Sequence, residues 1–375
     1  MTKVLILGGG FAGVVAAESL AKRLGTKHEI TLASRSREFL FYPALVRLAF
    51  GQCSRDDIAF DLREAMIERR VRFITGEIAR SNPGEQRVTF AGGDLVGDMP
   101  YDFLVLALGR RLATERITGF YENSHHLLSL DSALKFGEAV RGFHHGHAVI
   151  GSCPGARSPV PVFETAFALA RSLEERSARD RCTITVVSDE TPDEMFGGAA
   201  VSESLLDSLT SRGIEFVSNF PISRVTPTSI VASDGRTIAC DLRMLVPPFC
   251  GPAPALYTGL TGADGYVQVD NTMKAFGNER IYAAGDCVSF PGPKLGHMAV
   301  RQGEVAAANI RAEIEGRAPA ATYDHELMLV IDTSDHDSVF LQQNLGTGEP
   351  VDVHQGRFWP WAKRQQERYW KATHA

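Results

Sequence analysis

Residues 3–13 read KVLILGGGFAG. A short apolar run, suited to a buried strand, stops at glycine. GVVAAESLAKRLG (13–25) then repeats apolar residues at helical spacing, and HEITLAS (28–34) is a second strand-like run. Strand, glycine turn, helix, strand is the opening of a doubly wound α/β sheet. Inside the turn, Gly8, Gly10 and Gly13 form G-x-G-x-x-G, with Phe11 and Ala12 in between. Gly8 permits the tight turn, Gly10 lets a pyrophosphate approach the main chain, and Gly13 lets helix and strand pack closely. The phosphates would then rest on free N–H groups at the positive end of the helix. The context on both sides points to a dinucleotide site; the plainer alternative is a glycine-rich turn that only connects two elements.

The rest of the composition fits a cytoplasmic enzyme. The chain has 375 residues, enough for about two to three domains. It is 44% hydrophobic and 22% charged, ordinary for a globular protein, and its net charge of -6 gives no reason to expect nucleic acid as a partner. No apolar run reaches the ~18 residues of a membrane span. VLILGGGFAGVVAA starts too early and holds too many glycines for a secretion signal. Cys53, Cys153, Cys182, Cys240, Cys250 and Cys287 are far apart and form no CxxC, which speaks against a metal knuckle and against a sequence-local redox disulfide. No metal site is expected.

Further along, VRFITGEIA and QRVTF, separated by NPGE, read as antiparallel strands, and YDFLVLALG (101–109) as a buried strand ending in glycine. A second α/β unit starts near residue 147: AVIG, a helix over 162–174, CTITVVS (182–188), and an amphipathic helix stopped by Gly213. SIVASDGRTIACD is a hairpin turning at Asp234-Gly235. ERIYAAGDC (279–287) is again strand-like, and 298–316 is one long helix. Residues 321–375 differ in character.

The carboxylate expected about 20 residues after the glycine motif, at the end of the second strand, is replaced by Ser34, followed by Arg35. That pair suits either a 2′-phosphate, hence NADP, or an FAD pocket with a serine substitute. RIYAAGD (280–286) decides for the latter. It resembles the late motif of the two-dinucleotide-domain flavoproteins, the pyridine nucleotide-disulfide oxidoreductase superfamily. The resemblance implies FAD, with Asp286 after Gly285 holding the ribityl chain. Ala107-Leu108-Gly109 resembles the family's middle motif. Within the superfamily, EFLFYPALVRLAFGQ, with Pro43, resembles the flavin-proximal segment of sulfide:quinone oxidoreductases and type II NADH dehydrogenases; PPFCGP (247–252), DGYVQVDNTMK (264–274) and PGPKLGHMAVRQG (291–303) are similar too. Lys294 falls where these relatives carry a lysine beside the flavin. A cation there favours the reduced, negatively charged isoalloxazine; the plainer alternative is a solvated surface lysine.

The second glycine loop, Gly151-Ser-Cys153-Pro-Gly155-Ala156, keeps one glycine of a fingerprint, and Pro159 and Pro161 remove N–H donors from the turn. That is a poor nicotinamide site. The degeneracy resembles sulfide:quinone oxidoreductases, which take electrons from a sulfur species through a cysteine pair. Matching Pro161-Val-Phe-Glu164 to the family segment places Ser158 on the first cysteine, and residues 288–375 contain no partner. Cys153, five residues upstream, is the candidate substitute, its thiolate helped by the helix N-terminus; otherwise it is a packed thiol. Glu164, on the first turn of the next helix, matches a glutamate that relays protons in the quinone-reducing relatives; alternatively it complements the helix dipole. The tail RFWPWAKRQQERYWK (357–371) interleaves aromatic and basic residues, a pattern suited to a bilayer interface or a protein partner, or to packing on its own flavin domain.

The expected architecture is α/β: two Rossmann-like dinucleotide-binding domains plus a short C-terminal region. FAD belongs to residues 1–112 and 250–318, the degenerate second domain to 113–249, and membrane or partner contact to 319–375, chiefly 355–371. The expected activity is FAD-dependent electron transfer from a small-molecule donor to a quinone or similar acceptor, in the cytoplasm or on the cytoplasmic membrane face. An NAD(P)H dehydrogenase and a flavin-binding protein without turnover are the alternatives. No residue indicates an oligomeric state.

Overall fold

The computed structural model describes residues 1–333, 338–346, 351–356 and 358–375. The opening strand, Lys3–Leu7, lies in the middle of a seven-stranded sheet. Its parallel neighbours are Glu29–Ser34 and Phe103–Leu106; Ile281–Ala283 closes one edge and Arg72–Asn82 continues the other, also in parallel. Arg87–Gly93 and Gly97–Pro100 extend that side antiparallel. Strands covered on both faces read as unbroken apolar runs, and Val4 to Leu7 are all buried. The helix Phe11–Leu24 packs on one face beside the long helix Gly296–Ile314.

A second parallel sheet has the order Ile214–Val217, Cys182–Val187, Gly146–Ser152, Leu242–Val246. The helix Val160–Glu175 covers it, beginning with proline inside its first turn, where a missing N–H costs nothing. The hairpin at Asp234-Gly235 forms as the sequence suggests, with Gly235 at φ +90°. Gly213, at φ +62°, stands after the helix Ser202–Thr210.

The last region holds a three-stranded antiparallel sheet, Glu326–Ile331, Ser338–Asn344 and Asp352–Gly356, followed by the helix Phe358–His374. This terminal helix docks against the first lobe. Trp370 sits 4.9 Å from the Phe11 ring, Arg47 pairs with Glu367, and Glu18 receives Arg69 at 2.7 Å and His374 at 2.6 Å. Arg357 of the basic-aromatic segment lies outside the described residues.

Candidate active site

The first glycine turn is an open cradle. The Gly8 N–H donates to the Ala33 carbonyl at 2.7 Å, holding the turn over the ends of the central strands. A Cβ at Gly8 would lie 2.0 Å from the Ala107 oxygen, and one at Gly13 would lie 1.9 Å from the Gly8 oxygen. Those two glycines are demanded by packing. At Gly10 a Cβ would meet nothing within 4 Å, and no side chain caps the helix that starts there. The space beside Gly10 and the uncapped first-turn amides fit a diphosphate. Ser34 stands at the rim, its Oγ accepting from the Ser36 N–H at 3.3 Å, whereas Arg35 points to solvent. Phe11 packs edge-on against Phe39 and Phe41, and the buried Ala12 stands against Gly285, where an added Cβ would lie 3.1 Å from its own.

Ala107 and Gly109 (φ +69°) end one strand, and Gly285 (φ +84°) and Asp286 follow the neighbouring strand, so all four meet at the same end of the sheet. The Asp286 carboxylate is paired with Arg110, whose guanidinium lies 4.4 Å from the centre of the Phe249 ring. Arg110 escaped the sequence reading although it directly follows Gly109. The Arg110 Nε is buried without a hydrogen-bond partner, which marks this end as built for a polar group. Pro43 is exposed beside Tyr42, whose ring lies 5.8 Å from Arg110.

Lys294 is no surface lysine. Its amine donates to the Val288 carbonyl and lies 4.8 Å above the Tyr266 ring. Burial, and then the nearby Arg157 charge, bring its pKa down to about 7, against the opposing pull of Asp286. A small cavity connects Gly285, Asp286, Lys294, Leu295, Gln302 and His325.

The second glycine loop is closed. Its Cys153 N–H is spent on the Val246 carbonyl and its Ala156 N–H on the Cys153 carbonyl, both at 2.9 Å. Cys153 itself is 1% exposed, among Val149, Val187 and Leu245. Burial, with the Asp189 charge behind it, drives its thiol far above the ordinary range. Burial of this kind makes a thiol a poor nucleophile and suits the packed alternative for Cys153. Arg157 crosses from this loop to the first lobe, where it donates to the Phe290 carbonyl and, at 2.8 Å, to that of Gly292.

Residues 2–303 match the pyridine nucleotide-disulphide oxidoreductase family. The chain belongs to that family. It is an FAD-dependent oxidoreductase. Among curated proteins the oxidoreductase is 21% identical to the mitochondrial sulfide:quinone oxidoreductase of Mus musculus, an alignment covering 94% of this chain and 80% of that one. It is 22% identical to the type II NADH:quinone oxidoreductase of Staphylococcus aureus, covering 90% and 89%. Its fold superposes on the sulfide:quinone oxidoreductase of Aquifex aeolicus with a TM-score of 0.92, at 24% identity, covering 100% of this chain and 92% of the other.

Between the helix Val160–Glu175 and the terminal helix, the oxidoreductase buries an ion pair. Glu164, 5% exposed, accepts from the Asp332 N–H at 2.9 Å and from the Lys363 amine of the terminal helix. Burial raises the Glu164 pKa; the Lys363 charge holds it down and Asp332 pushes it up. The same charge pairing raises the pKa of Lys363 against its own burial. Lys363 was visible in the sequence only as one of several basic residues in the tail. The opposite face of its helix presents Phe358, Trp361 and Tyr369 at 59%, 52% and 69% exposure, beside the exposed Arg364 and Arg368. Among the described residues no helix is long and apolar enough to cross a membrane, and no cluster of His, Cys, Asp and Glu could hold a metal ion.

Proposed function

We propose that this oxidoreductase passes electrons from a small-molecule donor through FAD to a membrane-dissolved quinone. The observation that carries the reading is the terminal helix: its inner face delivers Lys363 to the buried Glu164, while its outer face offers aromatic and basic side chains to a bilayer interface. Quinone reductases from mouse mitochondria and Staphylococcus aureus are among its relatives. We assign the FAD lobe to residues 1–112 and 250–318, the middle lobe to 113–249, and the acceptor side to 319–375.

Bound FAD supplies a two-electron carrier. Gly8, Gly10 and Gly13 leave room for its diphosphate, with Ser34 at the ribose rim and Arg35 outside. Ala107, Gly109, Gly285 and Asp286 frame the ribityl end, where Arg110 holds the Asp286 carboxylate in place. Lys294 places a proton-binding amine where negative charge develops on reduction. Forming a quinol takes two electrons and two protons; Glu164, its carboxyl raised by burial, and the Lys363 ammonium are the proton carriers on the acceptor side.

The donor enters without a nicotinamide cradle, because the Cys153 and Ala156 amides of the second loop are already bonded and Pro154, Pro159 and Pro161 offer none. Cys153 takes no part. One observation favours the second reading, an NADH dehydrogenase: Asp189 and Glu190 stand half-buried just beyond the strand Cys182–Val187, where an acidic residue holds the ribose in dinucleotide folds. An anaerobic titration of the yellow holoprotein separates the two. Failure of NADH and NADPH to bleach it, with reoxidation of dithionite-reduced protein by a short-chain ubiquinone, is the expected pattern. Stoichiometric bleaching by NADH would sink the donor argument, and indifference to quinone would sink the acceptor argument.

A further inference from the structure

A chain of hydrogen bonds through the side chains of Gln302, Tyr323 and His325 runs beside the flavin site. The Gly285 N–H donates to Gln302 Oε1 at 2.7 Å. That bond fixes the amide, so Gln302 turns its NH₂ toward the Tyr323 phenol; burial raises the phenol's pKa, and the hydrogen bond from Gln302 opposes that rise, as a donor does. The phenol oxygen lies 3.1 Å from His325 Nδ1, and His325 Nε2 lies 2.9 Å from the Pro291 carbonyl. A carbonyl only accepts, so Nε2 carries the proton and Nδ1 accepts from Tyr323. Every bond then points one way, from the peptide of Gly285 to the peptide of Pro291. Tyr323 and His325 are 4% and 9% exposed, and Phe290 stacks on the imidazole at 5.2 Å.

The two ends of this chain are the two parts of the flavin site. Gly285 precedes Asp286, and Pro291 belongs to the loop that carries Lys294. That loop is gripped from two sides. Arg157 of the middle lobe takes the carbonyls of Phe290 and Gly292, and its own carbonyl receives the Lys294 N–H at 2.7 Å; His325 of the C-terminal region takes the carbonyl of Pro291 between them. Three consecutive carbonyls are thus held by two side chains from outside the lobe, the partly buried Arg157 and the buried His325.

We propose that His325 is a positioning residue of the flavin site: through Pro291 it fixes the loop bearing Lys294, and through Tyr323 and Gln302 it fixes the turn bearing Asp286. The proposal rests on FAD lying between those two residues. His325 acts in its neutral form. A second ring proton would set Nδ1 against the Tyr323 hydroxyl proton, and Lys294, Arg157 and His297, the charged and titratable groups around it, all oppose a further positive charge. Burial pushes its pKa down in the same direction. The role is therefore geometric, and its effect is read out at the flavin.

The test uses the FAD-loaded full chain and measures the midpoint potential of the bound flavin from pH 6 to 9, with FAD affinity by fluorescence. The variants are His325→Leu, which has neither donor nor acceptor, Tyr323→Phe, which breaks the chain but keeps the ring, and His325→Gln, which keeps both a donor and an acceptor. Leucine is expected to shift the reduction equilibrium about tenfold toward oxidised flavin, a fall of about 30 mV for a two-electron couple. Phenylalanine is expected to weaken FAD binding several-fold, and glutamine to restore both values most of the way. Wild-type potential, pH slope and FAD affinity in both the leucine and the phenylalanine variants would overturn the proposal while leaving the flavin site intact. Failure of the wild-type chain to take up FAD would instead remove the site on which the proposal rests. Should the leucine variant not fold, the phenylalanine and glutamine variants decide.

Discussion

Replacing Lys363 by methionine tests the acceptor side most directly. The substitution keeps the length and apolar stem of the side chain and removes its charge. Glu164 then stays 5% exposed with one bond from the Asp332 N–H and no cation. Removing one partner of a buried pair costs about 3–5 kcal/mol. At roughly 2–4 °C per kcal/mol for large domains, the melting temperature at pH 8 should fall by roughly 6 to 20 °C. The pH dependence gives a second signature. Burial already raises the Glu164 pKa in the folded chain, and losing Lys363 removes the largest force holding it down. A carboxyl with a raised folded pKa contributes stability at low pH that is lost as pH rises through that pKa, at about 1.4 kcal/mol per unit. The variant should therefore regain stability from pH 8 to pH 5, and Glu164→Gln combined with Lys363→Met should flatten the profile. Stopped-flow mixing of reduced protein with quinone should show reoxidation slowed about a hundredfold, the usual cost of losing a proton carrier. A variant that melts like the wild type at pH 8 and reoxidises at the same rate would refute both the ion pair and its role.

Gly10→Ala and Gly13→Ala should separate cradle from scaffold: the first leaves the apoprotein melting point unchanged but loses the yellow cofactor on purification, and the second lowers the melting point itself, since its Cβ would lie 1.9 Å from the Gly8 oxygen. Lys294→Met should remove a pH dependence of the apoprotein. Burial lowers the pKa of Lys294 to about 7 in the folded chain, so wild-type stability falls as pH drops from the ordinary lysine range toward 7 and then levels off, whereas the variant shows no such fall. Phe358→Ser with Trp361→Ser should abolish co-sedimentation with anionic vesicles and leave flavin bleaching by dithionite unaltered; retained sedimentation would place the membrane contact elsewhere.

The parallel sheets were legible because their strands are covered on both faces. Val4–Leu7 and Phe103–Leu106 write that burial into the sequence as continuous apolar runs, and the glycines at 8, 10 and 13 name the turn between strand and helix. The C-terminal antiparallel sheet was not legible: Glu326–Ile331 mixes buried Leu327 and Ile331 with partly exposed neighbours, so no clean period emerges. In the site, local motifs were readable, and partners distant in sequence were not. Asp286 follows a recognisable strand end, but its partner Arg110 stands 176 positions away, and Glu164 meets Lys363 across 199. The burial of Cys153 was not legible for the related reason that its environment is set by Val246 and the strand Cys182–Val187 rather than by its own loop.

The central sheet has a consequence for biosynthesis. Lys3–Leu7 and the glycine turn leave the ribosome first, yet the edge strand Ile281–Ala283, which ends at the Gly285–Asp286 corner, is made some 280 residues later. The flank it pairs with, Phe103–Leu106, is made some 175 residues earlier, so at about 5–20 residues per second that edge waits unpaired for on the order of 10–35 s. Vitamin loading is thus a late event in translation, and an exposed strand edge over that interval is where a chaperone has the longest time to act.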